Sequence, residues 1–276
     1  MKNPDNNNNN EQEQNSNMKK GKLLVIEGTD GSGKTVQAGL LVERLSKKGD
    51  QVQMTDFPQY GKSFFAKMIE KYLKGEYGWP QELRDHLIKH PPAERTSFTA
   101  DNKSAGRLES RPNEVNPYLT SLLYAGDRWE ANKQMHKWLE EGSIIISNRY
   151  VCSNMAHQGA KICDSVERKQ FFKWIEELEH EVYGVPKADL TIFLHVPIKI
   201  SQELIKARSR ESEGLKSEVD LHEKDTEYMK RVRDTYLELA AGDSNWHTIE
   251  CTENNQLKSK EEISEEIWNT INKILH

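Results

Sequence analysis

The chain has 276 residues, 35% of them hydrophobic and 30% charged, with a mean hydropathy of -0.85. That length suits one large domain or two small ones, and so polar a composition sets part of the chain outside any core. A net charge of -5 and a pI near 6.0 speak against a nucleic-acid binder, no apolar run approaches the roughly 18 residues needed to cross a bilayer, and the N-terminus lacks the apolar centre of a signal peptide.

Residues 1–20 hold eight Asn and no aliphatic residue besides two Met. They cannot bury enough apolar area to offset the entropy of ordering and are expected to form a disordered tail before a domain spanning 21–276. Leu23, Leu24, Val25 and Ile26 make an unbroken apolar run, the mark of a strand buried on both faces. A glycine-rich turn and a helix over about 33–47 follow, with Val36, Leu40, Leu41 and Leu45 on one face and Gly49 ending it. A second strand, Gln51–Phe57, stops at Pro58, and a helix is expected over about 62–74. Residues 83–113 carry few large apolar groups after Ile88 and read as an inserted mobile loop, with Gln81–Lys89 open to a short helix.

Helical pattern returns from Pro117 to Glu140, and Ser143–Ser147 is a third buried strand. A helix over about 165–182 precedes a fourth strand, Ala188–Val196, closed by Pro197. Helices over about 198–208 and 219–241 flank a charged stretch, His247–Cys251 makes a fifth strand, and the last helix sets Ile263, Ile267, Ile271 and Ile274 at helical spacing. Strands alternating with helices imply an α/β fold: a doubly wound parallel sheet of five strands with helices on both faces and ligands at the carboxyl ends of the strands. Cys152, Cys163 and Cys251 are odd in number, unpatterned and without zinc-ligand spacing, which suits packing residues in a reducing, cytoplasmic setting.

Gly28-Thr29-Asp30-Gly31-Ser32-Gly33-Lys34-Thr35 fits the phosphate-binding pattern G-x-x-x-x-G-K-S/T, and it lies where that pattern has meaning, between a buried strand and a helix. Glycines let backbone N–H groups turn inward around a phosphate of ATP, and the helix N-terminus adds its positive dipole end. Lys34 would reach the β- and γ-phosphates and the Thr35 hydroxyl would hold Mg²⁺. A GTPase would show Asn-Lys-x-Asp, yet none of the Asn-Lys pairs at Asn102, Asn132 and Asn272 has the Asp. An ATP-driven motor would end a strand in an acidic residue, and here Ser147-Asn148-Arg149 follows the third strand. A kinase whose acceptor is itself a phosphate needs less. A nucleoside monophosphate is largely dianionic at neutral pH, with a second pKa of about 6, so it requires no general base.

Beyond the loop, Phe57-Pro58-Gln59-Tyr60-Gly61-Lys62-Ser63, Leu122 to Arg128 and Asn148 to Gln158 occur in the order seen in thymidylate kinases, and the chain resembles that family from residue 22 to about 275, apart from 83–113. The resemblance implies transfer of the ATP γ-phosphate to dTMP with Mg²⁺, and a homodimer. It implies a carboxylate at Asp30 near the acceptor phosphate and metal, unless Asp30 only caps its turn. Phe57 and Tyr124 resemble walls for the thymine ring, Tyr60 a donor to the acceptor phosphate, and Ser153 and Asn154 residues lining base and sugar. Arg149 resembles the arginine gripping phosphate between donor and acceptor. Arg128 resembles one reading the base edge or acceptor, unless Asp127 and Glu130 hold it in a helix ion pair.

Because the loop carries no arginine, the resemblance implies a basic lid at 206–218, with Lys206, Arg208 and Arg210 in it, against the alternative of a solvated helix end. Two positions depart from the family. Asn148 stands where it has an aspartate, and His157 stands where a tyrosine guards the sugar, with a turn away to cap a backbone group as the alternative for His157. Two other functions stay open at this point. A deoxynucleoside kinase would need a carboxylate base, for which Asp56 is the candidate, and a silent nucleotide-binding protein is made plausible by Asn148.

Overall fold

The computed structural model describes residues 20–74, 76, 115–211 and 226–275. Of the expected tail, insertion and lid, only Lys20 and residues 206–211 fall among these; the rest, with the short helix expected over Gln81–Lys89, lies outside the described residues. Five parallel strands are present: β1 (Lys22–Gly28), β2 (Val52–Asp56), β3 (Ile144–Asn148), β4 (Leu190–His195) and β5 (Trp246–Glu250). They lie in the order β2-β3-β1-β4-β5. The helices are α1 (Lys34–Lys47), α2 (Phe64–Leu73), α3 (Pro117–Glu140), α4 (Val151–Gly159), α5 (Ser165–Glu176), α6 (Ile198–Glu211), α7 (Thr226–Gly242) and α8 (Lys260–Leu275). A two-stranded antiparallel ribbon, Thr252–Glu253 with Gln256–Leu257, leads into α8.

The sheet is covered on both faces because the Leu23–Ile26 stretch of β1 is apolar on both. Leu24 and Ile26 point to the layer of α1 and α8, against Leu41, Leu45, Ile267 and Ile271. Leu23 and Val25 point to the opposite layer, against Met135, Met155, Phe171 and Ile175. Each such side chain, fully buried, contributes about 1.5–3 kcal/mol relative to an exposed one. A third cluster packs Phe193 against Met229, Val232 and Tyr236 of α7, with the Phe193 and Tyr236 rings stacked at 5.1 Å.

Four sequence expectations change. Val36 is 51% exposed, and the inward face of α1 is Ala38, Leu41 and Leu45. On α8, Ile274 is 37% exposed and Trp268 and Leu275 pack in the cluster instead. The helix expected over 165–182 ends as α5 at Glu176 and continues as a π-helical stretch, Glu177–Val182. Helix α4 was not foreseen.

The order of the strands places the site. The chain leaves β1 and passes over β3 to reach the edge strand β2, and it leaves β3 in the other direction to reach β4. The carboxyl ends of β1 and β3 therefore open a crevice, the usual ligand position in such sheets. The register sets Asn148 beside Ile26 on one side and beside Asp56 on the other, so β2 and β3 end level and β1 runs two residues further, to Gly28.

Candidate active site

Loop 28–35 bends as its glycines allow. Gly31 and Gly33 have φ of 79° and 88°, a region that side-chain-bearing residues seldom adopt, and a Cβ on Gly31 would lie 2.5 Å from the Ser201 carbonyl oxygen. Gly33 is the N-cap of α1 and no side chain caps that helix, so its first N–H groups are left for an external acceptor. The Lys34 ammonium donates to the carbonyls of Gly28 and Thr29, each at 2.9 Å, and lies 3.9 Å from Asp30. The loop thus encloses its own cation, and an anion in the loop would meet it.

Beside the loop lies a cavity of about 620 Å³, within the range of small-molecule sites. Among the sequence candidates, Asp30, Thr35, Phe57, Tyr60, Tyr124, Arg128, Arg149, Ser153, Asn154 and His157 all line it. Asp56, Gln59, Asn148 and Gln158 line it too.

Arg149 has φ of 66°, the left-handed region that costs a non-glycine residue about 1–2 kcal/mol. The bend sends its side chain towards the phosphate loop, where it pairs with Asp30. It also donates to Ser153 Oγ at 3.2 Å and to His157 Nε2 at 3.2 Å. Burial acts to lower the Arg149 pKa, and the neighbouring Asp30, then Tyr236 and Glu27, more than reverse this, leaving it raised. His157 therefore faces the cavity with its ring on Arg149, and Tyr228 donates to its backbone carbonyl at 2.8 Å.

Underneath, Glu27 is fully buried. It accepts from the backbone N–H groups of Tyr150 and Ser153 at 2.8 and 3.1 Å, from Ser153 Oγ at 2.6 Å and from Tyr236 at 2.9 Å. Burial first, and then Glu27, pushes the Tyr236 phenol well up, so it remains a donor. One carboxylate of β1 thus fixes the start of α4, which carries Ser153, Asn154 and His157.

The other wall is organised by Asp127 and Glu179. Asp127 accepts from the Gln59 backbone at 2.9 Å and from the Ser63 hydroxyl, and Ser63 Oγ in turn caps α2 by accepting from Ala66 N–H at 2.8 Å. This clamps the Phe57–Ser63 turn to α3. Burial raises the Asp127 pKa against those two hydrogen bonds, which lower it. Glu130 accepts from the Phe64 backbone N–H at 2.9 Å. Neither acid forms the helix ion pair with Arg128 that the sequence suggested. Arg128 is 1% exposed and makes a forked pair with Glu179 of the π-helical stretch, one arm at 2.6 Å. Burial acts to lower the Arg128 pKa, and Glu179 more than reverses this, leaving it raised. Glu179 Oε1 also accepts from Asn154 Nδ2 at 3.2 Å, and Ser121 O accepts from the same nitrogen at 3.2 Å. With that nitrogen engaged, Asn154 Oδ1 is buried with no partner among the described residues.

At the third strand end, Asn148 Nδ2 donates to Asp56 Oδ1 at 2.6 Å and to Thr35 Oγ1 at 3.2 Å. Lys206 is exposed on α6; Arg208 and Arg210 continue that helix, and their side chains lie outside the described part. Sequence reasoning missed Glu27 and Glu179. Glu27 could have been suspected as a lone acid inside an apolar strand, whereas nothing local to Glu179 marks it.

Comparison with known proteins points to one family. A family model for thymidylate kinase matches residues 26–88 and 83–267. A probable thymidylate kinase of Thermococcus gammatolerans is 33% identical over 80% of this chain and 83% of its own. A thymidylate kinase of Mycobacterium tuberculosis is 28% identical over 79% of this chain and 86% of its own. The solved structure of a thymidylate kinase from Candida albicans is similar in fold, with a TM-score of 0.61 and 22% identity, covering 92% of both chains.

Proposed function

The chain belongs to the thymidylate kinase family, and we propose that its cavity holds dTMP between Phe57 and Tyr124 while loop 28–35 holds ATP, the γ-phosphate passing to give dTDP and ADP. The observation that carries the acceptor assignment is that one cavity beside the loop gathers the aromatic Phe57 and Tyr124 with Asn154 and Arg149. The two aromatic side chains offer flat faces to a planar base, and the amide and guanidinium offer polar contacts to its edge and to a phosphate.

The acceptor phosphate is its own nucleophile, so catalysis is positioning and charge neutralisation. Tyr60 and Arg149 both line the cavity and are assigned to the acceptor phosphate, and Asp30 holds the Arg149 fork in place until a phosphate takes over its partners. A planar fork suits bidentate phosphate contact better than a lysine. Lys34 meets the charge growing on the transferring group from the loop side, and the family resemblance gives Arg208 and Arg210 of α6 the same task. Mg²⁺, carried by the nucleotide, suits hard oxygen donors. The Thr35 hydroxyl and the Asp30 carboxylate border the loop end of the cavity. Among the described residues no group of three or more His, Cys, Asp or Glu could hold a metal alone, which agrees with an ion that relies on substrate phosphates. Bound there, Mg²⁺ would neutralise phosphate charge.

The three cysteines are free thiols, no helix among the described residues is long and apolar enough to cross a membrane, and we place the enzyme in the cytoplasm. Leu119, Leu122 and Trp129 form an exposed stripe on α3 beside Phe64 of α2, which supports a homodimer through these helices. The test of function is a coupled ADP-release assay over the common nucleoside and deoxynucleoside monophosphates. dTMP should be preferred, dUMP next and purine monophosphates inert; preference for dCMP, dGMP or a plain nucleoside would overturn the assignment.

A further inference from the structure

Residue 148 ends β3 beside the phosphate loop, where a carboxylate would face a nucleotide-bound cation, and here it is Asn148. An amide in that place carries no charge. Its nitrogen is turned onto Asp56 Oδ1 and Thr35 Oγ1, and its own oxygen is buried without a hydrogen-bond partner among the described residues. The carboxylate has not left the neighbourhood. Asp56 ends β2 at the register position beside Asn148, and both line the cavity with Thr35. Among the described residues the second oxygen of Asp56 has no hydrogen-bond partner, while the Asn148 amide steadies the first at 2.6 Å. The same amide nitrogen touches Thr35, so one side chain joins the acid of β2 to the hydroxyl of α1. We propose that Asp56, held by Asn148, supplies a second negatively charged oxygen, besides Asp30, that retains the nucleotide's Mg²⁺ beside Thr35, so that the carboxylate lacking at position 148 is replaced from the neighbouring strand. An anionic oxygen and a hydroxyl are donors that Mg²⁺ accepts, directly or through the waters it keeps.

The inference rests on the kinase reading only in taking Mg²⁺·ATP as the ligand, and its test does not use the acceptor. Binding of β,γ-imido-ATP is measured by titration calorimetry with and without MgCl₂ for the wild type, Asp56→Asn and the exchanged pair Asp56→Asn/Asn148→Asp. Asp56 is exposed and the replacement keeps its shape, and melting curves accompany each titration. The ratio of the two affinities should fall by about tenfold in Asp56→Asn, the scale of one short-range charge pair in a partly solvated cleft. Metal-free affinity should not fall, and the exchanged pair should regain most of the ratio. A ratio within twofold of wild type in Asp56→Asn overturns the proposal. So does a loss that the exchanged pair does not recover, since Asp56 would then act only by holding Asn148. Failure of the wild type to phosphorylate dTMP would count against the kinase assignment and leave the metal ratio unaffected.

Discussion

Arg128 and Glu179, 51 residues apart in the chain, face each other as a forked ion pair with both side chains shielded from water. Such a pair is a hazard if one partner is lost, because the survivor remains buried and charged. Glu179→Gln should therefore destabilise the protein by about 3–5 kcal/mol, well above an ordinary surface change. Arg128→Met/Glu179→Gln should recover a large part of that in urea unfolding. A loss under about 1 kcal/mol in Glu179→Gln would mean that the arginine finds water or another acid.

Arg149 separates strain from catalysis. Arg149→Ala and Lys34→Ala should each lower kcat far more than they weaken dTMP binding, an arginine on a transferring phosphoryl group being worth about 10³–10⁵. Arg149→Gly should be as inactive as Arg149→Ala yet more stable than it by about 1 kcal/mol, since glycine accepts the φ of 66°. A kcat within threefold of wild type in either variant removes Arg149 from the reaction.

His157 sets the sugar prediction. Its ring rests on Arg149 and borders the cavity, and imidazole is shorter than the phenol that the family resemblance placed there. A pocket that only crowds an added hydroxyl rejects it weakly, by about 10²-fold at most. His157→Tyr should raise the preference for dTMP over its ribo analogue several-fold in kcat/KM. An unchanged ratio would show that residue 157 does not touch the sugar.

The thiols predict a pH response. Burial pushes Cys251 up to about 12 and Cys152 well above the ordinary thiol range, while Cys163 is exposed. Only the thiolate is nucleophilic, and at pH 8 a thiol of pKa 12 holds about one part in ten thousand of it. Native protein should take up one equivalent of iodoacetamide quickly, at Cys163, and raising the pH to 9 should leave the other two protected. Unfolding should release them. Rapid labelling of Cys251 in the native state would contradict its place in the core.

The sequence alone specified whatever is written in neighbouring residues. The apolar run Leu23–Ile26, the glycines and Lys34 of the loop, and the 24-residue helix Pro117–Glu140 are local patterns, and each appears where its pattern placed it. Ten candidates drawn from separate motifs line one cavity: eight belong to segments that follow β1, β2 and β3, whose carboxyl ends parallel pairing delivers to the same edge, and Tyr124 and Arg128 come from α3 packed beside them. What composition and spacing could not decide is which distant groups meet. Val36 and Ile274 sit at helical spacing with buried neighbours, but the arc that faces inward depends on the sheet beneath, and that arc excludes them. Asp127 was free to pair with Arg128 until the fold set the Gln59–Ser63 turn above it. Glu27, Glu179 and Asp56 acquire their partners 123, 51 and 92 residues away. Only closure of the sheet and docking of the π-helical stretch bring them to hydrogen-bond distance, because a charge chooses its partner by separation in space and by the water excluded around it.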